Sequence, residues 1–162
     1  MADVRAELFN EDPDALCPYR LQGWRGCAFN PDSYNHTKVP RFLFESIVEA
    51  AASETVTLAT YAPDRPPAHI AANWNSFRSH RFDQENWSLE YILHDHSKRW
   101  AVLLDPDLVV FGAEAALADR IDLLLAEHGT SLGQITTADF PELNPASIGH
   151  KYILGAISGC AP

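Results

Sequence analysis

Between residues 86 and 112 the apolar and polar positions first alternate and then run together. Trp87, Leu89, Tyr91 and Leu93 fall on one side of an extended chain, and Ser88, Glu90 and His94 on the other, with Ile92 the apolar exception. A period of two predicts a strand with one face on a core. Trp100-Ala-Val-Leu-Leu104 is apolar throughout, as a central strand would be. Residues 99–104 and 108–111 therefore read as two further strands. His96-Ser-Lys98 makes the first turn, and Asp105-Pro106-Asp107 suits a type I-based second turn, with Asp before Pro. Three consecutive antiparallel strands form a meander.

Helical spacing flanks this sheet. Leu43, Ile47, Ala50 and Ala51 predict a helix over 40–53, with Pro40 in its first turn. Leu117, Ile121, Leu124 and Leu125 line a second helix over 113–128, with Gly112 ending the sheet, Glu114 in the helix's first turn and Gly129 as its stop. Thr55 to Tyr61 is rich in Thr and Val and reads as a strand. Residues 68–74 fit a short strand or a helical turn. Residues 130–144 are mixed. Asn144-Pro145 opens a last helix running to Ile157, with a strand at 151–154 as the alternative. Residues 1–40 hold six of the prolines and glycines at irregular spacing, yet Leu16, Tyr19, Leu21, Trp24 and Phe29 are too apolar for a free tail. They read as an irregular segment packed onto an α+β body spanning 41–162. At 162 residues the expected architecture is a single α+β domain, an antiparallel β-meander packed against helices.

Charge narrows the partners. Against 22 Asp plus Glu stand 12 Lys plus Arg, a formal charge of −10. That disfavours nucleic acid and anionic membrane surfaces, and favours basic partners. Residues 101–162 carry eight acids against Arg120 and Lys151 alone, so most of the excess lies there. Cys17, Cys27 and Cys160 make an odd, irregularly spaced set. With no apolar signal-like start, they read as thiols in a cytoplasmic protein, a Cys17–Cys27 bridge being the alternative.

The phosphate loop, dinucleotide fingerprint, nucleophile elbow and zinc helix motifs are absent. The nearest approach to catalytic chemistry is His94-Asp95-His96. Two histidines at i and i+2 on a strand share one face about 7 Å apart, a spacing that can chelate a transition metal. A third ligand would come from His69, His80 or His150. The other reading places both at a solvated strand end. Asp105 and Asp107 are a hard-metal pair or simple turn residues. Arg78, His80 and Arg81 form a basic cluster, a solvated loop or a seat for a phosphate or carboxylate. Trp24, beside Arg20 and Arg25, is either a core residue or an exposed binding anchor.

The stretch Trp87-Ser-Leu-Glu-Tyr-Ile-Leu-His-Asp followed by Lys98-Arg-Trp-Ala-Val-Leu-Leu-Asp-Pro-Asp-Leu-Val-Val-Phe-Gly-Ala113 resembles small bacterial immunity proteins that neutralise polymorphic or contact-dependent toxins. The resemblance covers about a quarter of the chain. It implies a cytosolic acidic α+β domain with no cofactor that binds a toxin domain. An acidic surface complementary to a basic toxin would speed association and set specificity. The expected partner-binding residues are Asp105, Asp107, Asp119, Asp122 and Glu127, with Trp24 as aromatic anchor. Two other readings stand beside it: a small metal-dependent enzyme using His94 and His96, and a structural or assembly subunit.

Overall fold

A computed structural model describes residues 3–10, 12, 16–60, 64–83 and 90–159. In chain order these form α1 (Val4–Leu8), β1 (Trp24–Phe29), a 3-10 segment (Pro31–Thr37), α2 (Arg41–Ala51), β2 (Thr55–Thr60), β3 (Ala68–Ala71), α3 (Trp74–Asp83), β4 (Glu90–His94), β5 (Trp100–Leu104), β6 (Val109–Glu114), α4 (Ala115–Ala126), α5 (Leu132–Asp139) and α6 (Ile148–Ser158). The fold is α+β, built on one antiparallel sheet in the order β1-β6-β5-β4-β2-β3. The meander β4-β5-β6 stands where alternation placed it. Trp87, Ser88 and Leu89, the start of the predicted first strand, lie outside the described residues.

Two apolar layers cover the sheet. On one face Val56, Leu58, Leu93, Trp100, Val102, Leu104, Val109 and Phe111 pack against α2, Phe77 of α3, α4 and α5. On the other, Ala28, Ile92, Ala101, Leu103 and Val110 pack against Leu8, Phe9, Tyr19 and Ala156 of α6.

The N-terminal segment is not wholly irregular. It contributes α1 and the edge strand β1, which pairs with β6 in register Gly26↔Gly112. Both positions need glycine for contact reasons. A Cβ on Gly26 would overlap the Phe111 carbonyl, and a Cβ on Gly112 would overlap the Tyr19 ring. The Tyr19 hydroxyl lies 2.6 Å from the Phe111 carbonyl and 2.8 Å from that of Ala156, so one phenol ties β6 to α6. The outer edge of β1 is closed by α5: Thr136 Oγ1 accepts from the Ala28 N–H at 3.0 Å. An edge covered in this way is not open to further strand pairing.

Other expectations shift at their boundaries. Pro40 is the cap of α2 rather than its first residue. β6 runs through Gly112 to Glu114, which caps α4. Residues 68–74 divide between β3 and the start of α3. The mixed stretch after Gly129 contains α5, whose cap Ser131 accepts from the Gln134 N–H at 3.1 Å. The last helix begins at Ile148, because Asn144 turns the chain by accepting from the Ala146 N–H.

Cys27 is a free thiol at the core, and Cys17 is disulfide-bonded. The Cys17–Cys27 bridge is therefore excluded, and the reading of Cys17 as a thiol is corrected. The cysteine argument for a reducing compartment falls with it. Cys160 lies outside the described residues. Among the described residues no helix is long and apolar enough to cross a membrane.

If Tyr19 and the paired glycines fix β1, Gly112→Ala will lower unfolding free energy by roughly 2 kcal/mol through overpacking. Tyr19→Phe will cost about 1 kcal/mol by removing its hydroxyl bond. Urea denaturation measures both. Wild-type midpoints would show that the phenol and the glycines do not hold this edge.

Candidate protein-binding surface

Helix α4 buries Leu117, Ala118, Ile121 and Leu125 against the sheet. Spacing of three and four then forces Asp119, Leu123 and Glu127 outward. Leu123 is 72% exposed, the most open large apolar side chain among the described residues. A single exposed leucine is ordinary on a protein surface; here it gives an acidic helix face one apolar spot between Asp119 and Glu127.

Helix α2 lies beside α4 and runs antiparallel to it. The Arg120 guanidinium donates to the Ala50 carbonyl at 2.6 Å near one end, and the Phe42 and His128 rings meet at 6.4 Å near the other. The outward residues of α2 include Glu45 and Glu49. They are exposed on the helix that packs beside α4, Glu49 as an open carboxylate and Glu45 paired with the exposed Arg41 at 2.7 Å. Sequence reading assigned the acidic surface to the last third of the chain and missed Glu45 and Glu49. The signal was present in the helical spacing of α2, whose polar positions 41, 45 and 49 share one stripe.

The predicted acids do not act alike. Arg25 of β1 pairs with both Asp119 and Asp122. Asp122 also accepts from the Leu132 N–H at 2.8 Å, so it caps the entry to α5 as well as carrying charge. Asp119 keeps a largely exposed carboxylate, and Glu127 is exposed at the end of α4. Asp105 and Asp107 lie apart, on the β5–β6 hairpin. Asp105 accepts from the Asp107 N–H at 2.9 Å, as a turn residue does. Its charge is felt by Lys38 and Tyr152. Among the described residues no hydrogen bond or ion pair joins the hairpin acids to those of α4. Trp24 is only 3% exposed and packs with Tyr19 at a ring separation of 6.3 Å. It is a core residue and not a surface anchor, because pairing of β1 with β6 turns it under α6.

The other polar clusters are turned inward. Glu90 opposes Thr60 while Ile92 opposes Ala59, so the register shifts by one residue at Tyr91 as a β-bulge does. The bulge turns Glu90 away from the face of His94 and toward α3. There Glu90 accepts from Arg81 at 2.9 Å and faces His80 Nε2 at 2.6 Å, all three buried. The carboxylate that the Arg78, His80 and Arg81 cluster was expected to seat comes from the chain itself. Arg78 instead lies over the Phe82 ring.

His94 ends β4 and is buried, whereas His96 sits exposed in the following turn. The two do not share a strand face, because the strand ends between them. Asp95 is buried under the hairpin. It accepts from Ser53 Oγ at 2.6 Å and from Trp100 Nε1 and the Ser97 N–H at 2.9 Å each. Burial alone would raise its pKa; the hydrogen bonds from Ser53, Ser97 and Trp100 outweigh burial and hold it below the ordinary value. Burial also lowers the pKa of His94, disfavouring its charged form. Among the described residues no group of three or more His, Cys, Asp or Glu side chains is placed to hold a metal ion.

Comparison with protein-family models, with curated proteins and with solved structures finds no match.

Asp95→Asn will turn an amide toward the Ser53 and Trp100 donors and cost about 2 kcal/mol at neutral pH. A lowered folded pKa means that the carboxylate's contribution is present above the ordinary value of 3.8 and is lost as pH falls through the folded value. Wild-type stability measured by denaturation from pH 6 down to about pH 2 will carry this loss, and the Asn variant will lack it. Equal acid profiles would contradict the assignment.

Proposed function

We propose that this protein is a non-enzymatic binding protein that neutralises a basic toxin domain, in the manner of an immunity protein, through the outer surface of α2 and α4. The observation that carries the reading is the set of exposed acids on the two adjacent helices, Glu45 and Glu49 on α2 and Asp119 and Glu127 on α4, with the exposed Leu123 among them. An apolar centre with charges at its margin is the usual division of labour in an interface: the centre supplies affinity, and the rim supplies steering and register. Arg25 holds Asp119 and Asp122 before any partner arrives, so their ordering cost on binding is small. The formal charge of −10 adds a long-range attraction to a basic partner. The resemblance of residues 87–95 and 98–113 to immunity proteins suggests the toxin class.

The test is capture of tagged wild type and of Leu123→Asp from the source cell at moderate salt, followed by kinetics with the captured partner. Leu123 touches no core, so the variant will keep wild-type stability within about 0.5 kcal/mol. Wild type will hold one basic partner, released at high salt; Leu123→Asp will lose it, and Glu127→Lys will slow association. The captured partner will be toxic when expressed without this protein. A partner held equally by Leu123→Asp would contradict the surface, and a harmless partner would contradict the toxin reading.

A further inference from the structure

The chain's three cysteines are not equivalent. Cys27 lies free at the core, where burial pushes its thiol far above the ordinary value and keeps it from reagents. Cys17 is disulfide-bonded and only half-buried. With Cys27 free, Cys160 is the one cysteine of the chain left to hold it. The bond then encloses every element from β1 to α6, and a cross-link across so long a span restrains the unfolded chain strongly.

What it fastens is the end of α6. That helix meets the N-terminal segment at three points that do not depend on the bond. A Cβ on Gly155 would overlap the Leu16 carbonyl and sit 3.1 Å from Cys17 Cα. The Tyr19 hydroxyl donates to the Ala156 carbonyl at 2.8 Å. A Cβ on Gly159 would overlap the Trp24 carbonyl. The fold therefore outlasts cleavage of the bond, and only the close of α6 is loosened.

Cys17 also lines an open cleft of about 770 Å3 between the segment 16–20 and α6. Arg20 and Lys151 are the only charged side chains among its described lining residues, in a chain of formal charge −10. Both are exposed, and Arg20 donates to the neutral carbonyl of Ala6 at 2.7 Å, which leaves its charge uncancelled. Two cations beside a half-buried disulfide draw in anionic thiols and stabilise the thiolate that forms when the bond opens. Accessible disulfides are the readily reduced ones.

We propose that the Cys17–Cys160 disulfide is a thiol–disulfide exchange site, reduced through this cleft by small anionic thiols, that locks and releases the end of α6. A thiolate attacks one of the two sulfurs: the new bond forms as the old S–S bond breaks, and the electron pair leaves on the other sulfur, which takes up a proton. A second thiolate attacks the mixed disulfide. The protein has then gained two electrons and two protons, and the two reagent thiols leave joined as a disulfide.

The full chain, equilibrated with oxidised glutathione and then freed of it, is treated with reduced glutathione under native conditions. Peptide mapping before reduction will find Cys17 joined to Cys160. Reduction will open both to alkylation, while Cys27 resists until urea is added. Hydrogen exchange over residues 153–159 will quicken at least about tenfold, with β4, β5 and β6 unchanged. Lys151→Glu, an exposed substitution, will slow reduction by glutathione at least about threefold, and reduction by the less charged 2-mercaptoethanol by less. A different cysteine pairing, reduction that waits for unfolding, unaltered exchange over α6, or a Lys151→Glu rate equal to wild type would each overturn the proposal.

Discussion

The close approach of β1 to β6 at Gly26 and Gly112 is the constraint on which the rest of the molecule depends. Only two residues without Cβ atoms let the strands pair there beneath the Tyr19 ring. Tyr19 then reaches the carbonyls of Phe111 and Ala156 and fastens α6 over the sheet. The same pairing sets Arg25 beside α4, where it fixes Asp119 and Asp122. Asp122 in turn caps the start of α5, and α5 closes the outer edge of β1. A contact between two glycines thereby orders the helix whose far side carries Leu123.

The polar residues that look most chemical along the chain are largely spent on the interior. Glu90, His80 and Arg81 satisfy one another under α3. Such a cluster adds little net stability against desolvation, but its members cannot be left unpaired, so it fixes the position of α3 relative to β4. Asp95 does the same for the β4–β5 hairpin, gathering Ser53, Ser97 and Trp100 around one carboxylate. What remains outward on the α2 and α4 face is a set of exposed acids with one apolar side chain among them.

The meander, α2 and α4 were legible because their apolar periods are long and unbroken. β1 was not, since Trp24-Arg-Gly-Cys-Ala-Phe29 alternates poorly when it is covered on both faces and contains a glycine that usually marks a turn. α3 is rich in Arg, His, Asn and Ser, and its helical face is defined by Phe77 and by buried charges that no hydropathy pattern registers. Of the expected binding residues, Asp119 and Glu127 were legible from the outward side of α4. Trp24 was misplaced because the strand that buries it was not read. Asp105 and Asp107 were grouped with α4 by their nearness in sequence alone. Leu123 was hidden because a leucine beside the stripe Leu117, Ile121, Leu124 and Leu125 counts as core until the helix is phased.

The account rests on α2 and α4 facing another protein with Leu123 at the centre of contact. A photo-crosslinking residue placed at position 123, and in separate variants at the exposed apolar positions 16 and 82, reads this directly in the source cell. The account predicts a single adduct with one basic protein from position 123, with positions 16 and 82 giving none. Adducts arising from position 16 or 82, with position 123 silent, would contradict it.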